Sequence, residues 1–264
     1  MDIARYQEEE AKVLLQQLDT LKAIKEARKL RKIDSMFLGT GPYRRELYTK
    51  HMQFFTAGGE HTPLSSCPLG CDGSPHRERL LLAGNRVGKT IAAGCEFVFH
   101  ATGEYPDWWP GFRFEEPTLQ WVVNDSNKNV RDVNQYELMG RWGQFGTGLL
   151  PYDSIRGTTT KANVPQALDS VLVHHASGGD SLILFKGYEQ GYDAFTGSAV
   201  HVIWCDEEPD EQVYAECCVR TMTTKGLILL TFTPLQGTTE VVKGFLNSYN
   251  EARLKHENID IHSQ

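Results

Sequence analysis

Residues 78–99 read ERLLLAGNRVGKTIAAGCEFVF. The leucines at 80–82 predict a hydrophobic strand, and apolar residues recur at helical spacing after Thr90. A loop held between a strand and a helix N-terminus surrounds phosphate with backbone N–H groups, and the helix dipole favours the negative charge. We therefore expect a phosphate-binding loop in an α/β fold. The alternative, a chance Gly-Lys-Thr at a helix start, is weakened by the strand before the loop and the helix after it.

The phosphate loop predicts most of the nucleotide contacts. Gly84 and Gly88 would let the backbone approach the phosphates closely, Lys89 would place a positive charge on the β- and γ-phosphate oxygens, and the Thr90 hydroxyl would reach Mg²⁺. Ala83 replaces the first glycine of the usual G-x-x-x-x-G-K-[ST] pattern. The candidate loop contacts are Gly84, Asn85, Arg86, Val87, Gly88, Lys89 and Thr90.

A second apolar strand ends in carboxylates, since residues 199–208 read AVHVIWCDEE. Asp206 would hold the Mg²⁺ shell through water, and Glu207 would polarise the water that attacks the γ-phosphate. Glu208 is the alternative catalytic acid. A strand that ends in a solvated acidic turn is the simpler interpretation of these residues alone. The phosphate loop upstream favours the catalytic interpretation.

The third element is GLILLTFTP, residues 226–234. In P-loop ATPases with an added central strand, such a strand lies between the strand of the phosphate loop and the strand of the metal carboxylate. Thr231 and Thr233 would then lie near the γ-phosphate and could couple its state to the following segment. Alternatively, these threonines only cap and turn the chain at Pro234. The residues leave both interpretations open.

Composition limits the class of protein. The 264 residues are 40% hydrophobic and 23% charged, which suits one soluble α/β domain with additional segments. No apolar run approaches the roughly 20 residues of a membrane helix, and the acidic start MDIARYQEEE is not a signal peptide. Two of the six cysteines, Cys95 and Cys205, fall inside phosphate-site elements, which indicates free thiols in a reducing compartment. The net charge of −7 argues against a protein that coats nucleic acid.

Patterning predicts a helix over residues 5–33, with an apolar stripe at Leu14, Leu18, Leu21 and Ile24. This arm could pack on its own domain or dock a partner subunit or DNA. We further expect strands near 80–83, 119–124, 200–205 and 227–232, and a hairpin that turns at 177–180. Strands that alternate with helices are typical of a mostly parallel sheet.

Four stretches together resemble the ATPase half of tailed-phage terminase large subunits, over about residues 79–240. They are AGNRVGKT (83–90), GEYPDWWPGFRF (103–114), FKGYEQGYDAFTGSAVHVIWCDEEPDEQVY (185–214) and LLTFTPLQGTT (229–239). The resemblance implies a three-layer P-loop ATPase of the ASCE type, with a mostly parallel central sheet and an N-terminal helical arm. It also implies ATP and Mg²⁺ as cofactors, and ATP hydrolysis that powers the translocation of viral double-stranded DNA into a procapsid.

The patterning along the chain gives a domain division, and the resemblance implies partners. We expect a helical arm at 1–35, a lead-in segment and loop at 36–77, and the ATPase core at 78–264. Because the chain stops at Gln264, we expect neither the family's C-terminal nuclease domain nor DNA cleavage. Implied partners are the DNA phosphate backbone, the portal protein, the small terminase subunit and further copies in a pentameric ring on the portal. The implied location is the host cell cytoplasm, outside the virion structure.

Residue roles follow from the resemblance. Lys89, Thr90, Asp206 and Glu207 take the phosphate, metal and catalytic positions, while Thr231 and Thr233 take the coupling positions. Arg86 is assigned to catalysis with Lys89, although it stands three residues before the lysine, whereas several relatives carry the arginine four before, at the position of Asn85. Arg131, Arg141 and Arg156 are unranked candidates for an arginine that acts on a neighbouring subunit.

Residues 48–55, YTKHMQFF, resemble the segment that packs on adenine in this family. Gln53 could read the edge of the base, or it could be a polar residue on an amphipathic helix. Basic patches that could touch DNA phosphates are Arg28–Lys32, Arg44–Arg45 and the region of Lys161, His174 and His175.

The turn-rich loop 56–77 contains the residue types of a zinc site, at His61, Cys67, Cys71 and His76. Their spacing matches no established zinc-finger pattern, so a metal-free loop is the favoured interpretation. Two other functions remain open for the chain as a whole: a different P-loop nucleic-acid motor such as a helicase, and a nucleotide-gated assembly module with negligible turnover.

Overall fold

Within residues 3–63, 67, 71–233 and 239–247, which the computed structural model describes, seven strands form one sheet. The strands are β1 (Glu78–Leu82), β2 (Leu119–Asn124), β3 (Ile155–Thr160), β4 (Leu168–His174), β5 (Asp180–Gly187), β6 (Val202–Cys205) and β7 (Leu227–Phe232). Their order across the sheet is β1-β7-β6-β2-β5-β4-β3. The first five in this order run parallel, and β4 and β3 extend the edge antiparallel. The predicted position of the 226–234 strand, between the other two motif strands, is confirmed.

Helices alternate with the parallel strands. They are α1 (Ile3–Lys29), α2 (Thr49–Thr56), α3 (Lys89–Thr102), α4 (Asn127–Asn129), α5 (Tyr136–Met139) and α6 (Glu211–Met222). A π-helical segment, Val130–Gln135, joins α4 to α5, and residues 240–247 are helical. Short 3-10 turns occur at Lys32–Ser35, Arg45–Leu47, Tyr152–Ser154, Tyr188–Gln190 and Tyr192–Phe195. Among the described residues, every helix is too short or too polar to cross a lipid bilayer.

The sheet separates two apolar cores, because side chains alternate between its faces. Val202 and Trp204 of β6 belong to the core that includes Phe97 of α3. The intervening Ile203 belongs to the opposite core, together with Cys217 of α6. The three-layer α/β architecture is thus confirmed, and it brings the carboxyl ends of β1, β7 and β6 side by side.

The N-terminal helix differs from its prediction. It ends at Lys29 rather than near residue 33, because the backbone of Arg31 turns left-handed (φ 40°) and the chain then buries Ile33 and Met36 in the core. The leucine stripe of the arm, Leu14 to Leu21, faces solvent, with side chains 48–62% exposed. At its far end α1 contacts the domain, where the Arg28 Nε donates to the carbonyl of Phe145 at 2.8 Å.

A buried ion pair ties the elements around the phosphate loop together. Arg79 of β1 donates to both oxygens of Glu96 on α3, at 2.5 and 3.1 Å, and to the carbonyl of Phe54 on α2 at 2.7 Å. The two charged side chains are 4% and 0% exposed. His100, one turn further along α3, lies 3.3 Å from the same carboxylate. This contact fixes the strand before the loop against the helix after it.

Candidate active site

The phosphate loop connects β1 to α3, as the sequence predicts. Gly88 immediately precedes the helix with φ 84° and ψ 20°, a left-handed conformation that glycine adopts without steric cost. A Cβ at this position would lie 3.4 Å from Nε2 of His51, so α2 packs closely against the loop. Arg86 also has a left-handed backbone, with φ 63°. The loop is therefore a tight turn whose conformation depends on its neighbours.

The side chain of Lys89 is hydrogen-bonded to the phosphate loop that precedes it. Its ammonium group donates to the carbonyls of Ala83 and Gly84, at 2.9 and 2.7 Å, and to the Thr233 hydroxyl at 3.0 Å. Partial burial lowers the pKa of Lys89, while the negative charges of Asp206 and Glu207 oppose that shift. The ammonium therefore lies between the phosphate loop and the carboxylates.

Asp206 follows β6 and is 5% exposed. Its carboxylate accepts from the hydroxyls of Thr231 at 2.7 Å and Thr90 at 3.2 Å, and from the side-chain amide of Asn134 at 2.9 Å. Burial raises the pKa of Asp206, and these three hydrogen bonds act in the opposite direction. Thr90 and Asp206, the predicted metal residues, thus come together at the ends of two neighbouring elements.

Asn134 is a site residue that sequence reasoning missed. It is fully buried on the π-helical segment, and its Oδ1 accepts from Asn124 at the end of β2, at 2.9 Å. π-helical turns are rare and frequently occur at functional sites. The polar Asn124 at the carboxyl end of an apolar strand is the one signal that could have indicated a polar partner here.

The two candidate catalytic acids have different surroundings. Glu207 lines the same cleft as Lys89 and Asp206, whereas the carboxylate of Glu208 accepts a hydrogen bond from Thr239. Partial burial raises the pKa of Glu207, with further contributions from Asp206 and Asp125. The backbone of Glu207 has φ 123°, a conformation that costs a non-glycine residue of order 1–3 kcal/mol. Strained residues of this kind cluster at active sites.

Thr231 of β7 and Thr233, which directly follows the strand, both contact the site. Thr231 is buried, donates to Asp206 and accepts from the indole N–H of Trp204 at 2.8 Å. The Thr233 hydroxyl lies 2.9 Å from Oδ1 of Asn85 and 3.0 Å from the carbonyl of Ala83. Thr233 therefore connects the end of β7 to the phosphate loop. The proposed turn at Pro234 lies outside the described residues.

A sequence profile of the family described as terminase large subunit, T4-like virus type, N-terminal, matches residues 80–261. This chain belongs to the terminase large-subunit family. The large terminase subunit of Salmonella phage P22 is 32% identical to it over 226 residues, which cover 78% of this chain and 42% of that protein. The chain therefore spans less than half the length of this relative.

Two solved structures show weaker similarity to this terminase chain. The large terminase of a thermophilic bacteriophage has a TM-score of 0.44 and 13% identity, over 69% of this chain and 38% of that one. The large terminase ATPase domain of Thermus phage P74-26 has a TM-score of 0.37 and 16% identity, over 69% of each chain.

Gln53, the predicted base contact of this terminase, lies on α2 beside the phosphate loop. It lines a cleft of about 1400 Å³ together with Tyr48, Val87 and Lys89. Its Oε1 accepts from Lys50 one turn away, at 3.3 Å. The side chain is half-buried and borders open space, so both interpretations of Gln53 remain compatible with its position.

The candidate arginines occupy different places. Arg86 is exposed and lines the phosphate cleft. Arg131 pairs with Asp132 and donates to the carbonyl of Pro165, and Arg156 lines a separate cleft beside Arg28. Arg141 is exposed at the surface. Of the four, Arg86 is therefore the one that borders the phosphate loop of its own chain.

The basic patches proposed for DNA carry acidic partners. Arg31 pairs with Glu104 and Lys32 with Glu137 in the first patch, and Arg44 pairs with Glu46 in the second. In the third, Lys161 pairs with Asp169 and His174 with Asp180, while His175 is buried. Much of the positive charge that the sequence suggests is therefore neutralised within the chain.

Proposed function

We propose that this chain hydrolyses ATP, as the motor domain of a terminase large subunit, and that turnover drives viral double-stranded DNA into a procapsid. The observation that carries the proposal is a cleft of about 510 Å³ lined by Lys89, Thr90, Asp206 and Glu207. The cleft lies at the carboxyl ends of parallel strands, where open α/β sheets bind their ligands.

Phosphate binding would exchange one set of contacts for another. The ammonium of Lys89 now donates to two loop carbonyls and to Thr233. Triphosphate oxygens would compete for these donors, and the N–H groups at the start of α3 would add further contacts. Partial burial lowers the pKa of Lys89, and the negative charges of Asp206 and Glu207 oppose that shift and favour the cationic form of the amine.

The donor set fits a magnesium ion. Thr90 and Asp206 offer a hydroxyl and a carboxylate 3.2 Å apart, and oxygen ligands are those that Mg²⁺ prefers. When bound, Mg²⁺ supplies positive charge to the phosphate oxygens. Asn134 and Thr231 would hold the Asp206 carboxylate in a fixed orientation throughout, because each donates to one of its oxygens.

Glu207 is the proposed general base. Its carboxylate would orient a water molecule and accept its proton as the water oxygen bonds to the γ-phosphorus and the bond to the ADP oxygen breaks. A raised pKa makes this carboxylate a better proton acceptor than an ordinary glutamate. Arg86, and an arginine from a neighbouring copy, would stabilise the charge that develops on the transferring group.

Thr233 is the proposed coupling residue. It contacts Lys89 and Asn85 at once, so the loss of the γ-phosphate would alter its hydrogen bonds directly. Thr231 is the second coupling candidate, through its bond to Asp206. The altered hydrogen bonds of these two threonines would then affect the residues that follow β7.

The partners remain proposals. The chain would touch DNA phosphates rather than base edges. It would work in the host cell cytoplasm as one copy of a ring, which the resemblance makes pentameric. The portal protein and the small terminase subunit would be its protein partners. Because the basic patches are partly neutralised, we expect weak binding by one copy that falls steeply with salt.

Turnover tests the proposal. We expect the native chain at high concentration to hydrolyse ATP with Mg²⁺, and Lys89→Ala to lose nucleotide binding and turnover together. Lys12→Ala, on the solvent-exposed arm, is the matched control and keeps both. Nucleotide binding without hydrolysis in the native chain, even at high concentration, would favour the assembly module instead. Strand separation on a forked substrate would favour a helicase.

A further inference from the structure

Four metal-ligating side chains converge in the loop between α2 and β1. The ligand atoms of His61, Cys67, Cys71 and His76 all lie within 4.8 Å of one another. All four side chains are partly buried. The sequence favours a metal-free loop, because the spacing fits no established finger. The folded loop nevertheless gathers two nitrogens and two sulfurs around one point.

Three of the six distances between these ligand atoms match the edges of a tetrahedral zinc site. With Zn–S of about 2.3 Å and Zn–N of about 2.0–2.1 Å, the edges of the tetrahedron are about 3.3–3.8 Å long. Nε2 of His61 lies 3.3 Å from Sγ of Cys67 and 3.6 Å from Sγ of Cys71. Nε2 of His76 lies 3.5 Å from Sγ of Cys71. We propose that these four residues bind one Zn²⁺ ion.

Neighbouring groups orient the proposed ligands. Nδ1 of His61 lies 2.8 Å from the carbonyl of Gly59, and a carbonyl can only accept, so Nδ1 carries the proton. The lone pair on Nε2 is then free and faces both sulfurs. The backbone N–H of Gly73 donates to Sγ of Cys71 at 3.4 Å and so holds the sulfur in place. Outer contacts of both kinds are characteristic of metal sites.

Backbone hydrogen bonds also hold in place the loop that carries the four proposed ligands. His61 N–H donates to the carbonyl of Gly73 at 2.8 Å, and His76 N–H donates to the carbonyl of Ala57 after α2, also at 2.8 Å. Gly73 has φ +84°, and a Cβ there would lie 2.3 Å from the carbonyl of His61. The turn therefore requires glycine, and it brings the two ends of the loop together.

The site would be structural rather than catalytic. Protein groups fill all four positions, whereas a catalytic zinc keeps one position open for water or substrate. Cys67 and His76 line the cleft that also contains Gln53 and Lys89. The ion would therefore fix the loop that forms one wall of this cleft, which goes beyond the proposed hydrolysis chemistry.

Metal content tests the proposal independently of ATP turnover. The full chain, expressed with zinc and purified under reducing conditions without a nickel column, is expected to contain one zinc per chain by mass spectrometry. Replacement by Co²⁺ should give the thiolate charge-transfer and visible bands of a tetrahedral site. Native protein whose thiols are reduced but which neither retains zinc nor gives this spectrum overturns the proposal. A Cys67–Cys71 disulfide in place of the bound metal would also overturn it.

Matched variants identify the ligands. Cys71→Ser and His76→Ala should lose at least about nine-tenths of the zinc, because a closed site needs all four ligands. His76→Cys replaces one zinc ligand with another and should retain the metal even if His76→Ala folds poorly. Cys218→Ser, at a half-buried thiol outside the loop, is the control. Equal zinc in Cys71→Ser and Cys218→Ser would contradict the assignment.

Discussion

Asp206 accepts hydrogen bonds from residues of α3, β7 and the π-helical segment. A carboxylate that is 5% exposed keeps its charge only if such donors compensate for the lost water. The side-chain oxygen of Asn134 accepts from Asn124 at 2.9 Å, which fixes the orientation of the amide that donates to Asp206. At this site, therefore, one buried amide fixes the orientation of the proposed metal ligand.

Asn134→Ala tests that dependence. Removing the amide takes the closest donor from Oδ2 of Asp206, which keeps the Thr90 hydroxyl at 3.3 Å. We expect a cost of about 1–3 kcal/mol in the free energy of unfolding. We also expect a higher Mg²⁺ concentration for half-maximal ATP hydrolysis, measured by titration. Val133→Ala, a 41% exposed neighbour on the same segment, is the control. Identical Mg²⁺ curves for the two variants would show that Asn134 does not position the carboxylate.

Sequence could predict Thr90, Asp206 and Lys89 because each stands at a fixed place in a strand–loop or strand–carboxylate motif. Asn134 could not be predicted, because a π-helical turn changes which residues of a helix face the sheet. The sequence favours Glu207 over Glu208 only because Glu207 directly follows Asp206. Their surroundings differ through the backbone at Glu207, with φ 123°, and through the contact of Glu208 with Thr239.

At the level of elements, β1, α2 and α3 are joined by charge as well as by apolar packing. Arg79 contacts Glu96 and the carbonyl of Phe54, so one guanidinium spans all three elements. A buried pair is weak evidence for net stability, but the loss of one partner leaves an uncompensated charge. The position of the phosphate loop depends on this contact because the loop begins and ends in two of the three elements.

Arg79→Met tests this link. We expect a loss of about 3–5 kcal/mol in the free energy of unfolding, measured with urea, because Glu96 would remain buried without its partner. The double variant Arg79→Met/Glu96→Leu removes both charges and should recover much of the loss. A double variant as unstable as the single one would show that packing, rather than charge, is responsible.

The cluster of Arg79, Glu96 and His100 predicts that the free energy of unfolding depends on pH. Burial acts to raise the pKa of Glu96, but Arg79 and His100 outweigh it and hold that pKa below its ordinary value of 4.5. Burial lowers the pKa of His100 below 6.5, against the opposing effect of Glu96. The unfolded chain therefore binds protons at a higher pH than the folded chain does.

Stability contributed by these two groups is full above about pH 6.5 and is lost as the pH falls through their folded pKa values. Urea unfolding between pH 8 and pH 4 should show the decline in the native chain. The decline should be smaller in Arg79→Met/Glu96→Leu/His100→Phe. If stability falls equally with pH in the two proteins, groups other than Glu96 and His100 cause the pH dependence.

For the whole molecule, three strand motifs in the sequence predict the centre of the sheet, and β1, β7 and β6 lie together as expected. The edge strand β3 was not predicted, since IRGTTT is polar and lacks the apolar alternation that indicates a strand, although it pairs with the next strand in the chain, β4. The converging zinc-type ligands and the paired basic patches also depend on contacts that spacing alone does not fix. The division at residues 35 and 77 remains a prediction.

Steady-state ATP hydrolysis with Mg²⁺, at high protein concentration, should be compared for the native chain, Glu207→Gln and Glu208→Gln. We expect Glu207→Gln to lose turnover by about 10²–10⁴-fold while it still binds ATP, because a general base typically contributes that much. Glu208→Gln should retain most of the native rate, since its carboxylate contacts Thr239. Native turnover in Glu207→Gln would contradict the assignment of this cleft's catalytic acid.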